Sequence, residues 1–241
     1  RKFAAENGLE IIKEFADQQH NFDIILDDCV RQRKIIRQQQ RYFHPSQYYN
    51  EKFIADYFET YPNEILDQID TNQLDDALAQ REKRLAIHYD ALQNSAIRTF
   101  FNEPITILTG GPGTGKTTVV GAMIDLFKTL YSTASVVCCA PTGRAAKRLN
   151  ELTGTESTTI HALLKWDLEA NTFGKNEADP LALDCLIIDE FSMVDTWLFG
   201  NLLKASKNVK KILIVGDVDQ LPSVAPGSAD VIAHAPGPHV P

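Results

Sequence analysis

Several features that would place this chain in a common functional class are absent from its 241 residues. No apolar run approaches the ~20 residues that cross a bilayer, and the N-terminus lacks the charged-then-apolar pattern of a signal segment. The four cysteines and six histidines show no metal-ligand spacing. Three of the cysteines lie in apolar, strand-like runs, where cysteine acts as a small hydrophobe. We therefore expect a cytoplasmic, reduced protein with neither a membrane partner nor a structural metal.

Positive charge is also scarce overall, since the formal net charge is −8. This is only a weak argument against a nucleic-acid partner, because phosphate binding depends on local clusters of cations. One such cluster, "RQRKIIRQQQR" from Arg31 to Arg41, holds five cations and no acid. Two interpretations stay open, the solvated face of a helix, which charge runs usually form, and a phosphate-binding track.

The first part of the chain reads as helical. Residues 9–40 have apolar positions at the spacing of two amphipathic helices. "RYFHPSQYY" is typical of a short strand and a turn at Pro45, and a further helix is predicted from Phe53 to about Pro62. This order predicts a small, mainly helical domain at residues 1–74, and a winged-helix-type module would have the same order of elements.

A polar stretch then leads to one predicted helix, from about Asp75 to Phe101, which connects the two parts of the chain over residues 75–104. From residue 105 the pattern alternates between strands and helices. "ITILT", "SVVCCA", "DCLIID" and "KILIVG" are short apolar runs, each ending in Gly, Pro or Asp or followed by one. Such alternation predicts an α/β domain at 105–241, with a parallel sheet flanked by helices and ligands at the carboxyl ends of its strands.

The strongest motif is "TGGPGTGKTTVV", which follows the first of these strands. Gly110, Gly115, Lys116 and Thr117 complete the pattern G-x-x-x-x-G-K-[ST]. Glycines let backbone N–H groups turn inward around phosphate oxygens, and the new helix adds its free N–H groups. Lys116 supplies a charge to the β- and γ-phosphates, and the Thr117 hydroxyl can bind Mg²⁺. The motif predicts a P-loop NTPase that binds the phosphates of a nucleotide and Mg²⁺ through Gly111, Pro112, Gly113, Thr114, Gly115, Lys116, Thr117 and Thr118.

A second element, "CLIIDEFSM", delivers two carboxylates to a strand end. Asp189 can hold the Mg²⁺, directly or through water, and Glu190 can orient and deprotonate the attacking water. Glu190 favours hydrolysis over transfer to a small substrate. Asp195 is interpreted as the cap of the next helix.

The strand "KILIVG" continues into the polar sequence "DVDQLPSV". In a parallel sheet this strand is expected beside those that carry the phosphate loop and Asp189. Gln220 is then placed to bond a γ-phosphate oxygen or the attacking water. The alternative is a capping turn.

"CAPTGRAAKRLNELTGTESTTIHALL" has no evident role in phosphate transfer. A strand ends at Pro141, Thr142, Gly143 and Arg144, which suit a phosphate of a nucleic-acid backbone at a helix start. Thr159 and His161 open another short helix. A surface or core histidine remains the alternative for His161, and Lys147 and Arg148 are as readily explained as solvated side chains.

Five segments in order, "LTGGPGTGKTT", "APTGRAAKRL", "TIHALL", "IIDEFSMVD" and "GDVDQLPSVAPG", resemble the RecD-like family of superfamily 1 DNA helicases, relatives of the exodeoxyribonuclease V alpha subunit. The resemblance covers about Asp90 to Ala235. It implies ATP-driven, 5′-to-3′ DNA unwinding. It places Gln93, in the family's glutamine motif, on the adenine ring. It also implies that single-stranded DNA contacts Thr142, Gly143, Arg144, Thr159 and His161, and that Asp217 and Gln220 couple hydrolysis to that strand.

Such motors bind ATP between two RecA-like domains, and the second domain supplies arginines. The sequence stops near Pro241, where the first motor domain is expected to end, so we expect a fragment of weak ATPase activity, with nuclease-complex subunits as possible partners of the full protein. Two other classes stay open. One is a P-loop ATPase of nucleic-acid metabolism without translocation, and the other is a nucleotide-dependent module that binds a partner protein.

Overall fold

The computed structural model describes residues 19–39, 41–61, 66, 69–111 and 113–217. Its β-strands are β1 Ile36–Gln38, β2 Arg41–Phe43, β3 Ile105–Thr109, β4 Val136–Ala140, β5 Ser157–Thr159, β6 Trp166–Asp167, β7 Thr172–Phe173, β8 Cys185–Ile188 and β9 Lys211–Gly216. Its α-helices are α1 Gln19–Arg31, α2 Pro45–Thr60, α3 Thr71–Leu85, α4 Ala91–Asn102, α5 Lys116–Leu130, α6 Gly143–Thr153, α7 Ile160–Leu163 and α8 Thr196–Ala205, and Phe191–Met193 forms a 3₁₀ turn. Within these ranges, no helix has the length and apolarity needed to span a membrane.

A five-stranded parallel sheet forms the centre of the molecule, in the order β3-β9-β8-β4-β5. Every residue of β8 and β9 is buried, as expected for strands covered on both faces by helices. The predicted P-loop NTPase fold is thereby confirmed. The order also confirms that β9 lies between β3, which leads into the phosphate loop, and β8, which leads to Asp189.

Each face of the sheet has its own hydrophobic core. One core joins α2, α7 and α8 to the sheet through residues such as Ile54, Phe199 and Ile214. The other joins α3, α4, α5 and α6 through residues such as Phe100 and Phe127. Cys138, Cys139 and Cys185 are buried thiols in these cores, in agreement with the prediction from their apolar surroundings.

Helix α2 packs along α8, and the two helices run in the same direction. In the first half of both helices, the Asn50 side chain lies against Gly200, where a Cβ atom would meet Asn50 Oδ1 at 3.2 Å. Near the end, the Tyr57 hydroxyl donates to the Ser206 carbonyl oxygen at 3.2 Å, and Tyr61 donates to Val209. This helix of the first part of the chain therefore contributes to the core of the α/β domain.

Three predicted helix boundaries were wrong. The helical pattern extended to residue 40, but α1 ends at Arg31 and an antiparallel hairpin follows it. Residues 9–18 lie outside the described ranges. Helix α2 begins at Pro45, because proline fits the first helical turn, where its missing N–H is not needed. The helix predicted from Asp75 to Phe101 is two helices, separated by Ala86 in the left-handed conformation at φ 51°.

Candidate nucleotide and nucleic-acid site

The phosphate loop connects β3 to α5 and depends on glycine for its shape. Gly113 and Gly115 have φ values of 79° and 81°, a backbone conformation that is costly for residues with a Cβ atom. A Cβ atom at Gly110 would lie 2.9 Å from Thr114 Oγ1. Gly115 precedes the first residue of α5, whose free N–H groups face the loop. Pro112 lies outside the described residues.

Lys116 folds back over this loop. Its Nζ atom donates to the carbonyl oxygens of Gly110 and Gly111, the latter at 2.9 Å. It also lies 3.7 Å from Asp217 Oδ2, at the end of β9. These three oxygens are the partners of the ammonium group in the absence of nucleotide. Of the next two residues in α5, Thr117 is half-buried and Thr118 is exposed.

Gln93 lies against the phosphate loop from the first turn of α4. Asp90 accepts from the Gln93 N–H at 2.8 Å, and Gln93 Oε1 accepts from the Asp90 N–H at 3.2 Å, which forms a reciprocal helix cap. The Gln93 Nε2 atom is 2.8 Å from the position that a Cβ atom would take on Gly115. The structure therefore brings the residue predicted to contact adenine directly beside the phosphate loop.

The two carboxylates after β8 differ in their surroundings. Burial, and to a smaller extent the charge of Glu190, raise the pKa of Asp189 above its usual value. The Glu190 N–H, which donates to the Asp189 carboxylate, and the charges of Arg148 and Lys116 oppose this shift. Glu190 has a φ of 52°, the left-handed conformation that a residue with a Cβ atom adopts only under constraint. Glu190 thereby ends the extended chain that follows β8 and begins the 3₁₀ turn.

The residues at this edge fit a Mg²⁺ ion that is bound together with nucleotide. Thr117 offers a hydroxyl oxygen at the start of α5, and Asp189 offers a carboxylate two strands away in the sheet. Within the described ranges, no group of three or more His, Cys, Asp or Glu side chains could hold a metal. Mg²⁺ commonly uses one or two protein oxygens and completes its shell with phosphate oxygens and water, so this small donor set suits it.

An open groove of about 560 Å³ lies beside the edge strand β5. Two of the residues predicted to contact DNA, Gly143 and Thr159, line it together. The other residues that line it are Ala146, Lys147, Asn150, Glu151, Ser157, Thr158 and Ala162. The groove is thus formed by α6, β5 and α7, the elements that carry the two motifs.

The remaining predicted DNA contacts lie around the groove rather than in its lining. Thr142 caps α6, because its hydroxyl accepts from the Ala145 N–H at 3.2 Å. Thr159, which does line the groove, caps α7 in the same way. Pro141 is half-buried and Arg144 is exposed at the first turn of α6.

His161 belongs to an aromatic cluster that the sequence motifs did not reveal. Its ring centroid lies 6.2 Å from that of Trp166 and 5.9 Å from that of Phe173, and Trp197 packs on both of these residues. The His161 side chain is exposed at the edge of this cluster. Gln220, the predicted γ-phosphate sensor, lies outside the described residues.

Sequence reasoning also missed Lys211, at the start of β9. Its side chain is fully buried, and Nζ donates to the carbonyl oxygens of Phe100 at 2.5 Å and Glu103 at 2.8 Å, at the end of α4. It also lies 5.0 Å from the Phe100 ring centroid. A lysine that opens an otherwise apolar strand was the only signal in the sequence.

Several curated proteins are similar to this chain. The ATP-dependent RecD2 DNA helicase of Deinococcus radiodurans is 42% identical over 135 residues, which are 56% of this chain and 18% of that protein. The RecBCD enzyme subunit RecD of Mycolicibacterium smegmatis is 35% identical over 164 residues, or 58% of this chain and 30% of that protein. The chain therefore spans less than a third of the length of these two relatives.

Among solved structures, the Pif1 helicase from Candida albicans aligns with 58% of this chain and 34% of its own, at 25% identity and a TM-score of 0.47. The fold is defined here by the strand order, and the relatives confirm the resemblance to RecD-like helicases. The AAA domain family model matches residues 93–226, which is more than half of the chain. This protein belongs to the AAA domain family.

Proposed function

We propose that this chain is the first motor domain of an ATP-dependent DNA helicase, which binds ATP–Mg²⁺ and single-stranded DNA and uses hydrolysis to drive translocation and unwinding. One observation carries the proposal. Three neighbouring strands, β3, β9 and β8, end at the same edge of the sheet, where they lead into the phosphate loop, Asp217, and Asp189 with Glu190. The next strand, β4, leads at the same edge into α6, which lines the groove beside β5. A nucleotide and a polymer can therefore occupy neighbouring positions on one rigid surface. The 5′-to-3′ polarity is what the RecD-like resemblance implies.

In the proposed nucleotide site, the phosphates lie in the loop formed by residues 110–115, and Gln93 contacts the adenine. Lys116 leaves the Gly110 and Gly111 carbonyl oxygens and binds the β- and γ-phosphates, which provide stronger, charged acceptors. Thr117 and Asp189 would hold Mg²⁺, which neutralises phosphate charge when it is bound. Glu190 accepts the proton of the attacking water.

Gln220, which follows β9 by four residues, is proposed to sense the γ-phosphate or to orient the water. Asp217, three residues earlier in the chain, supports this proposal, because its carboxylate lies 3.7 Å from Lys116 Nζ. Loss of the γ-phosphate would remove one partner from this group of residues. The change would then pass along the end of β9, which adjoins β8 and the 3₁₀ turn that follows Glu190.

For DNA, we propose that the phosphate backbone crosses the groove at Gly143 and Thr159, with Pro141, Thr142, Arg144 and His161 at its margins. Arg144 is exposed at the first turn of α6, where the free N–H groups of the helix add partial positive charge. His161, exposed beside Trp166, can stack on a base.

A complete motor requires partners in this proposal. A second RecA-like domain would close the nucleotide site and supply arginines, which contribute ~10³–10⁵ in rate in related phosphoryl chemistry. The chain alone is therefore expected to hydrolyse ATP slowly. Relatives named as subunits of the RecBCD enzyme make subunits of a nuclease complex a further class of proposed partner. Action on DNA in the cytoplasm belongs to the same proposal.

The test is binding of a fluorescent single-stranded oligonucleotide, with and without Mg²⁺ and a non-hydrolysable ATP analogue. Arg144→Ala is expected to weaken DNA binding several-fold and to leave the affinity for the analogue unchanged, whereas Lys116→Ala should do the reverse. Lys83→Ala, an exposed cation on α3, is the control. Equal loss of both ligands in Arg144→Ala would contradict its assigned role, and no DNA binding by this chain or by a longer one that includes a second motor domain would contradict the function.

The two other classes are less well supported. A P-loop ATPase without translocation, or a nucleotide-dependent binding module, would not require the motif pair that forms the groove. A nucleotide analogue that changes DNA affinity would favour the helicase over both.

A further inference from the structure

Residues 31–39 and 41–43, here termed the basic hairpin, comprise the end of α1, a turn and strands β1 and β2. It holds the five cations of the charge cluster, and no acidic residue, in a chain whose net charge is −8. The hairpin conformation excludes the interpretation that this whole cluster is one face of a helix. What these charges do on a hairpin is not explained by the nucleotide site or by the groove.

All five cations are exposed, and their compensation by acids is weak. Arg31 lies 3.6 Å from an Asp28 oxygen, and Arg37 lies 3.5 Å from an Asp27 oxygen; all four side chains are at least half exposed. Exposed pairs at such distances contribute little. Among the described residues, none forms an ion pair with the remaining cations, which are Arg33, Lys34 and Arg41. The hairpin is therefore a local concentration of positive charge on an acidic body.

The hairpin lies at the same edge of the molecule as the proposed nucleotide and DNA sites. Helix α2, which follows it directly, runs parallel to α8, and Asn50 lies beside Gly200. Helix α8 begins six residues after Glu190, at the carboxyl edge of the sheet. His44 precedes Asn50 by six residues, a rise of about 9 Å along the helix. The start of α2 is thus at the carboxyl edge of the sheet. The hairpin lies beside the first half of α2, because Gln38 of β1 lines a small cavity together with Tyr48, Glu51 and Lys52.

One face of the hairpin also carries a guanidinium group on an aromatic ring. Arg37 and Tyr42 are directly paired across β1 and β2, so their side chains share a face. The Arg37 Cζ atom lies 5.8 Å from the Tyr42 ring centroid. Cations beside aromatic rings are the combination that proteins use to contact nucleic-acid backbones and to stack on bases.

We propose that the basic hairpin is a second nucleic-acid-binding surface, which contacts the phosphate backbone of DNA outside the groove beside β5. The inference rests on the proposed function for its choice of nucleic acid, because the hairpin shares an edge of the molecule with the proposed motor sites. Its role is to hold DNA as it approaches or leaves the motor. Both single-stranded and duplex DNA present the phosphodiester chemistry that it recognises, and the experiment distinguishes them.

The test compares two variants of the full chain with equal charge. Lys34→Gln/Arg41→Gln removes two cations from the hairpin, and both side chains are exposed, so folding should be unaffected. Lys83→Gln/Lys207→Gln removes two exposed cations elsewhere, with Lys207 just after α8 at the opposite edge of the sheet. Binding to single-stranded, duplex and single-strand–duplex junction DNA is measured by fluorescence anisotropy over a series of salt concentrations.

The hairpin variant is expected to bind at least one of these DNAs several-fold more weakly than the control variant. The slope of log affinity against log salt is negative, and it should become shallower by about 1.8 for duplex or about 1.4 for single strands. Each of the two lost phosphate contacts removes about 0.9 or 0.7 from its magnitude. The DNA with the larger change identifies the form that the hairpin contacts.

Affinities and salt slopes equal to those of the control, with all three DNAs, would overturn the proposal. Failure of the proposed function gives a different result, because Arg144→Ala would then bind single-stranded DNA like the unmodified chain. A surface for an acidic protein also predicts unchanged DNA binding by the hairpin variant, and would therefore count against the proposal.

Discussion

Lys116 Nζ lies 3.7 Å from Asp217 Oδ2, which joins the phosphate loop to the end of the central strand β9. Asp217 is almost completely buried, and the Lys116 side chain is one-fifth exposed. The same ammonium group donates to two carbonyl oxygens of its own loop. Nucleotide binding therefore has to replace existing partners of Lys116, and the exchange directly affects the strand that leads to Gln220.

Asp217→Asn is expected to tighten the binding of a non-hydrolysable ATP analogue by up to about fivefold. The change removes a carboxylate that competes with phosphate for Lys116. The two atoms are too far apart for a hydrogen bond, so the expected gain is ~1 kcal/mol. Isothermal titration at neutral pH measures the effect. Asp184→Asn is the matched control, because Asp184 pairs with Lys210 at the opposite edge of the sheet. Weaker binding by Asp217→Asn would show that Asp217 helps to hold the nucleotide or its metal.

Gly115→Ala is expected to destabilise the protein more than Gly113→Ala. Both glycines have positive φ, which costs roughly 1–2 kcal/mol for a residue with a Cβ atom. At Gly113 a Cβ atom would meet open space, whereas at Gly115 it would lie 2.8 Å from Gln93 Nε2. The additional loss at Gly115 therefore reports the contact with Gln93.

A double-mutant cycle in urea isolates that contact. Gln93→Ala alone loses the hydrogen bond from the Asp90 N–H, and the cycle subtracts this loss. Gly115→Ala should cost less free energy of unfolding in the Gln93→Ala background than in the unmodified chain. Equal costs in the two backgrounds would mean that the Gln93 side chain moves aside freely.

The sheet and the phosphate loop could be predicted from the sequence because their signals are local. The four apolar runs from residue 105 onward are short, rich in β-branched residues and bounded by Gly, Pro or Asp. The prediction that Asp195 caps a helix was confirmed, since its carboxylate accepts from the Leu198 N–H at 2.7 Å. The break between α3 and α4 was also visible in the sequence, because Asp90 and Gln93 have the spacing of a capping box.

Other features could not be predicted, because their causes are distant in sequence or lack a residue signature. Ala86, Gln39 and Glu190 adopt positive φ although none of them is glycine, so their turns carry no compositional mark. The carbonyl acceptors of Lys211 are 108 to 111 residues earlier in the chain. The groove beside β5 depends on the packing of α6 and α7 against an edge strand, which only the assembled sheet defines.

Glu190→Gln is expected to lower ATP turnover by about 10²- to 10⁴-fold, the usual contribution of a general base, and to preserve nucleotide affinity. The amide keeps the shape of the side chain but accepts no proton from water. Single-turnover hydrolysis and analogue binding are measured on the same samples. Asp195→Asn, which retains an oxygen to accept from Leu198, should leave turnover unchanged. Turnover of Glu190→Gln within a few-fold of the unmodified chain would remove Glu190 from the catalytic role.

Lys211→Met tests whether the buried lysine carries a proton in the folded protein. Burial lowers the pKa of Lys211 from 10.5 to about 8, so between these values the unfolded chain binds a proton that the folded chain does not. Stability from Lys211 is then present above pH 10.5 and is lost as pH falls through about 8, with a slope of up to ~1.4 kcal/mol per pH unit.

The difference in unfolding free energy between the unmodified chain and Lys211→Met should accordingly grow in favour of the unmodified chain from pH 8 to pH 10. The difference is the quantity to compare, because burial also raises the pKa of Cys139, and titration of this thiol in the unfolded state lowers the stability of both proteins as pH rises through 9. Urea titrations at several pH values give this difference. The acceptors of Lys211 are carbonyl oxygens at the C-terminal end of α4. This end of the helix is the negative end of its dipole, which favours the ammonium form. A difference that stays constant with pH would mean that these carbonyl oxygens outweigh burial and keep Lys211 charged, so that a buried cation fastens the helix of Gln93 to the strand of Asp217.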